Sequence, residues 1–137
     1  MYRNRVPAQA TQAGTTTWDP PPFGRTYWIS STPASMGSTM AVKRVKRKVT
    51  IASENGPAGL NCFDGTIRAS GIIRGWTLDV APDPVKSTKK FIRRGDRLKP
   101  VWDGGPTIWK RVSRTKAAAY RTDLTKDLKT CRTLLRN

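Results

Sequence analysis

Between Val42 and Val112 the chain never runs far without punctuation. Short stretches rich in Val, Ile, Phe, Trp and Thr are closed by Gly, Pro or Asp-Gly at a spacing of roughly ten residues, the rhythm of short antiparallel strands. Residues 45–51 read as one strand, with Val45, Val49 and Ile51 on one side and Arg47 interrupting that side. Asn55-Gly56-Pro57 is a turn. Residues 60–63 and 66–73 read as two strands around Asp64-Gly65, a favoured hairpin dipeptide. Residues 76–80 alternate apolar and polar with period two and end at Pro82 and Pro84. Residues 98–102 and 107–112 flank Asp103-Gly104-Gly105-Pro106, a further hairpin signal.

The C-terminal segment obeys a different period. Ala117, Tyr120, Leu124, Leu128, Cys131 and Leu135 recur at three- and four-residue spacing, which predicts one amphipathic helix over residues 114–136. Asp127 falls inside that apolar arc. The expected fold class is therefore α+β. It is a small antiparallel β-barrel or curled sheet of SH3-like or OB-like size, carrying a C-terminal helix.

Residues 1–41 read as a flexible arm, and 42–137 as the basic β-rich domain. The arm holds a small polar stretch, the extended Pro20-Pro21-Pro22 run and a Ser/Thr/Gly/Met-rich connector. Only Arg25-Thr26-Tyr27-Trp28-Ile29 within it has strand-like content. Trp18 and Trp28, lying in the arm, are expected to contact a partner or the domain surface. Trp76, Trp102 and Trp109, in strand-like segments, are expected in the core.

Charge dominates the functional expectation. Lys and Arg number 26 against 9 Asp and Glu, a formal net charge of +17 over 137 residues. Self-repulsion on that scale opposes compaction and calls for a polyanionic partner, most commonly nucleic acid. The first cluster is Lys43, Arg44, Lys46, Arg47 and Lys48, with the form of a nucleic-acid patch or an import signal; as the solvated edge of a strand it would have a purely structural role. The second is a connector over residues 86–99 that contains Lys89, Lys90, Arg93, Arg94 and Arg97, with Phe91 and Ile92 as its apolar anchor. The third is Lys110 and Arg111, followed on the helix by Arg121, Lys129, Arg132 and Arg136 beside the apolar stripe. Arginine outnumbers lysine, and its planar fork binds phosphate and stacks on bases, which tilts the partner towards RNA or single strands.

Chemistry of other kinds finds little to stand on. The chain has no His and only Cys62 and Cys131, so the usual zinc patterns and the commonest general base are missing. No cofactor or metal is expected, and no catalysis. The two cysteines are expected to be small buried apolar residues rather than a disulfide. No apolar run has the length of a membrane span or of a signal-peptide core. The sequence thus predicts an intracellular, non-enzymatic nucleic-acid-binding component of a ribonucleoprotein particle or virion. RNA and DNA both remain open as partners, and the arm would reach other proteins of the assembly. The alternative is a nuclear-targeted regulatory or accessory protein, of viral origin or otherwise, that binds a host protein. Binding to anionic lipid ranks below both.

Overall fold

A computed structural model describes residues 15–30, 38–54, 59–78, 83–101, 108–120 and 124–136. They form ten strands and two helices. The strands are β1 (Thr15–Thr17), β2 (Phe23–Ser30), β3 (Thr39–Val45), β4 (Lys48–Glu54), β5 (Leu60–Ile67), β6 (Ile73–Leu78), β7 (Val85–Lys89), β8 (Phe91–Arg94), β9 (Arg97–Pro100) and β10 (Trp109–Val112). The helices are α1 (Arg114–Tyr120) and α2 (Leu124–Arg136). All strands pair antiparallel in one sheet of order β1-β8-β9-β10-β2-β3-β4-β5-β6-β7. The fold is a sheet-rich α+β arrangement with C-terminal helices.

The order of the strands forces the sheet to curl. β7 closes one end of the ladder and β8 lies next to the other end, yet only Lys90 separates them in sequence. In a flat sheet eight strand spacings of about 4.8 Å would hold them roughly 38 Å apart. One residue spans about 3.8 Å. The sheet therefore bends back on itself, although among the described residues no ladder joins β7 to β1. The expected barrel of SH3 or OB size is not met in that form: the sheet is open, and its ten strands are twice the five of an OB-fold.

Curling gives the sheet an inner and an outer face, each with its own core. Inside, Trp18, Trp28, Val42, Ile51, Phe63, Ile73, Phe91, Leu98 and Trp109 pack as one cluster drawn from both ends of the ladder. Trp18 meets Trp28 and Phe91 edge-on, with ring centroids 5.4 and 5.8 Å away. Its amide donates to the Phe91 carbonyl. Outside, α1 and α2 cover Tyr27, Ala41, Ala52 and Cys62 with Ala117, Leu124, Leu128 and Cys131. Leu135 packs against the same cluster, as the spacing predicts. Asp127 lies in the first turn of α2, where the helix dipole favours a carboxylate.

Several sequence expectations are corrected. The supposed arm contains β2, which is hydrogen-bonded between β10 and β3 at the centre of the sheet. Its Trp28, together with Trp18, is buried in the inner core, because inward positions of β2 complete that cluster. Residues 1–14 and 31–37, the rest of the arm, lie outside the described residues. Residues 45–51 are not one strand. Val45 pairs with Lys48 across a two-residue turn, and Lys46 takes the left-handed φ of 56° that such turns require. The basic connector of residues 86–99 is the strand series β7, β8 and β9, with Phe91 buried as the expected anchor.

Asp64-Gly65 is the middle of β5 rather than a hairpin turn. Asp64 is buried and accepts a hydrogen bond from the Thr50 hydroxyl at 2.6 Å. Gly65 faces Gly75 of β6, and a Cβ on Gly65 would lie 2.6 Å from the Arg74 carbonyl oxygen. A Cβ on Gly75 would collide with the Asp64 carbonyl. These glycines serve close backbone approach, and the reversal comes later, where Gly71 donates to the Arg68 carbonyl. The single helix is two segments flanking residues 121–123, which lie outside the described residues, as do the turns at 55–57 and 103–106 and Trp102. Ser113 caps the first segment, its Oγ accepting from the Lys116 amide at 3.1 Å.

The cysteines are buried, as expected, but they are bonded. Cys62 on β5 and Cys131 on α2 form a disulfide across 69 residues of sequence. The outer face of β5 puts Cys62 directly under the apolar stripe of α2. Closing a loop of that length stabilises by about 4 kcal/mol through the unfolded chain. Reduction, or Cys131→Ser, is expected to lower the unfolding free energy by about that amount in urea titrations, and thiol titration of the denatured, unreduced chain should find none. Gly75→Ala should destabilise by about 1–3 kcal/mol, since the facing backbone must move.

Candidate nucleic-acid interface

Alternation along the strands sorts the outer face into rows. The row covered by α2 is apolar: Tyr27, Ala41, Ala52, Cys62 and Leu78 lie opposite one another across β2 to β6. Two residues along each strand, the next row reads Arg25, Lys43, Thr50, Asp64, Trp76 and Lys86. At the β2–β4 end of this row the exposed flank of α2 forms the facing wall. The result is a groove of about 470 Å³ lined by Arg25, Lys43, Thr50, Thr125, Lys126, Leu128, Lys129 and Arg132. A second cleft of about 310 Å³ extends it through Lys43, Thr50 and Arg132 to Val45, Lys46 and Lys48.

Seven cations thus line one continuous depression. Among the described residues no carboxylate lines either cleft. Asp64, next to Thr50 in the row, is buried and hydrogen-bonded to it. Asp127 of α2 is buried. Arg25 and Lys43 are direct cross-strand neighbours, so two cations stand side by side in the groove.

The expected site residues divide accordingly. Lys43, Lys46, Lys48, Lys129 and Arg132 come together in the groove. Arg44 does not join them, because alternation turns it the other way. Its guanidinium bonds Asp19 at 2.5 Å and the Pro20 carbonyl at 2.8 Å, tying the chain before β2 to β3. Arg47 is exposed at the turn, and its carbonyl accepts from the Ile67 amide. Lys89 lies over the Phe63 ring, 5.3 Å from its centroid, and half-buried Lys90 links β7 to β8. Arg121 is outside the described residues, as is the side chain of Arg136.

The remaining cations form a separate group. Arg94 pairs with Arg97, and Arg97 with Lys110, so three cations lie in one row across β8, β9 and β10. Arg94 and Arg97 border a cleft with Ile92, Lys99, Ile108 and Asp96, whose carboxylate lies 3.9 Å from the Arg97 guanidinium. Arg93 is turned to the Gly95 carbonyl, and exposed Arg111 donates its amide to the Asp96 carbonyl. Sequence reasoning missed Arg25 and Lys126. Lys126 had a signal, since it precedes Lys129 and Arg132 at three-residue intervals on a helix. Arg25 had none, because only the β2–β3 register brings it beside Lys43.

Trp76 is the other surprise. It was expected in the core but is 44% exposed, because its row lies beyond the cover of α2. Phe23 is 65% exposed on the same face. Among the described residues no cluster of His, Cys, Asp or Glu could hold a metal ion, and no helix is long and apolar enough to cross a membrane. No protein-family model, curated protein or solved structure matches this chain.

Neighbouring cations in the first cluster therefore have opposite roles. Arg44→Ala should lower stability by about 1–2 kcal/mol, chiefly through the lost bond to the Pro20 carbonyl, since the exposed Asp19 partner adds little. Lys48→Ala, at an exposed position beside the β3–β4 turn, should leave the melting temperature nearly unchanged.

Proposed function

We infer that this chain is a non-enzymatic nucleic-acid-binding protein, preferring RNA or single strands, that serves as a structural or assembly component of a ribonucleoprotein particle or virion. The observation that carries this reading is the groove between α2 and the β2–β4 surface, where seven lysines and arginines converge and no carboxylate of the described residues lines the walls. Phosphate is the chemistry that such a groove neutralises, and release of its counterions would drive binding. The groove offers charge above all: of its described hydroxyls, Thr50 is buried and donates to the buried Asp64 carboxylate, and the reading rests on the lysines and arginines rather than on that pair. The Arg94, Arg97 and Lys110 row would be a second, weaker phosphate-binding surface, since Asp96 already partners Arg97.

The curled sheet is read as an open barrel whose outer wall, stiffened by the disulfide, holds the groove in shape. The disulfide also favours the virion over a ribosome-like particle of the cytosol, since such bonds persist on particles outside the reducing cell interior.

Binding to single-stranded oligonucleotides should weaken as salt rises, with a log–log slope of about −0.7 per phosphate neutralised. Replacing Lys43, Lys126, Lys129 and Arg132 together by Gln should reduce that slope by about 3 in magnitude if each meets one phosphate, with the melting temperature retained. A flat salt dependence in the parent protein, or an unchanged slope in the folded variant, would remove the groove from consideration.

A further inference from the structure

The row that begins in the basic groove does not stop there. From Arg25 and Lys43 it crosses Thr50 and Asp64 to reach Trp76 and Lys86, about 24 Å away over five strand spacings. At that far end the surface changes character. Trp76 forms part of a cleft of about 570 Å³ together with Arg68, Arg74, Lys86, Ser87 and Thr88. Lys86 sits over the indole, 5.9 Å from the ring centroid, at the outer limit of a cation–π contact. A large aromatic left half-open is uncommon on a folded surface, and three cations around it make an apolar protein partner a poor fit. Among the described residues no carboxylate lines this cleft.

We propose that Trp76 is a base-stacking platform for single-stranded polynucleotide, with Arg68, Arg74 and Lys86 receiving the phosphates on either side of the stacked base. The proposal rests on the phosphate-binding reading of the groove and adds to it a means of telling single strands from duplex. An indole offers a π-face that any unpaired base can cover, whereas the bases of a duplex are already stacked on one another. Lys86 is on a flexible stem and moves from the ring to a phosphate as the base arrives. The chain of rows gives the polymer a track: its phosphates run along the groove at Arg25 and Lys43, and a base is laid down at Trp76.

The test compares an oligothymidylate and an oligouridylate of about 16 nucleotides, a length within reach of small ssDNA-binding folds, with a duplex of equal length. Trp76→Ala should weaken both single strands, or the one that the parent binds more tightly, about tenfold, and leave duplex affinity within about twofold. Trp76→Phe should restore most of the loss, because a ring remains. Trp76→Leu, which keeps apolar bulk without a π-face, guards against an unfolded Ala variant and should behave as Ala does. Equal losses on duplex and single strand, or single-strand binding by a folded Leu variant that matches the parent, would overturn the stacking role. In that case steep salt dependence and weakening by the groove variants would leave the phosphate reading standing. If the parent chain binds neither form, the groove reading fails and the platform fails with it.

Discussion

A single residue between two strands governs this fold. Lys90 joins β7 to β8, and because these strands sit near opposite ends of the ladder, the sheet has no freedom to lie flat. Everything else follows from that bend. It creates a concave interior into which β2 to β10 send alternate side chains, so that Trp28, Phe63, Phe91 and Leu98 share one core. It also creates a convex exterior too curved to be covered entirely by two short helices. What the helices leave bare is the surface on which the basic groove and Trp76 lie. Core and candidate site are two sides of one geometric constraint.

That constraint also explains how a chain with a net charge of +17 stays folded. A two-sided sheet buries apolar residues on both faces of its central strands, which raises the share of a small domain that can be buried. Cations are displaced to the strand ends, the β3–β4 turn, the outer flank of α2 and the β8–β9 hairpin. There the repulsion is screened by water and salt when nothing is bound. Like-charge neighbours such as Arg25 beside Lys43 and Arg94 beside Arg97 remain in the sheet, and Asp96 offsets the second of these as an ion-pair partner of Arg97.

The sequence made some of this legible. The apolar spacing of Leu124, Leu128, Cys131 and Leu135 was enough to place the buried face of α2, since a helix carries its pattern locally. The mostly antiparallel sheet and three of the basic clusters were readable from punctuation and charge. What stayed hidden depends on register. Arg44 and Lys43 are adjacent in sequence and opposite in role, because successive residues of a strand face opposite ways. Asp64-Gly65 has the composition of a turn, and only the presence of Gly75 across the ladder reveals it as a point of close approach. Trp18 and Trp28 looked peripheral because Pro-rich sequence surrounds them, yet they pack on each other and Trp18 packs on Phe91 of β8, far along the chain. The bond between Cys62 and Cys131 was invisible for the same reason.

The cysteine pair carries one more consequence. With two cysteines in the chain, oxidation within one molecule has a single possible product, and no scrambled isomer competes with it. The partners are 69 residues apart, so the bond forms readily only once the central strands have brought β5 beneath α2. Errors can therefore arise only between molecules, and their frequency grows with concentration. A particle that gathers many copies of this chain around one polymer would gain from delaying oxidation until each copy has closed on itself.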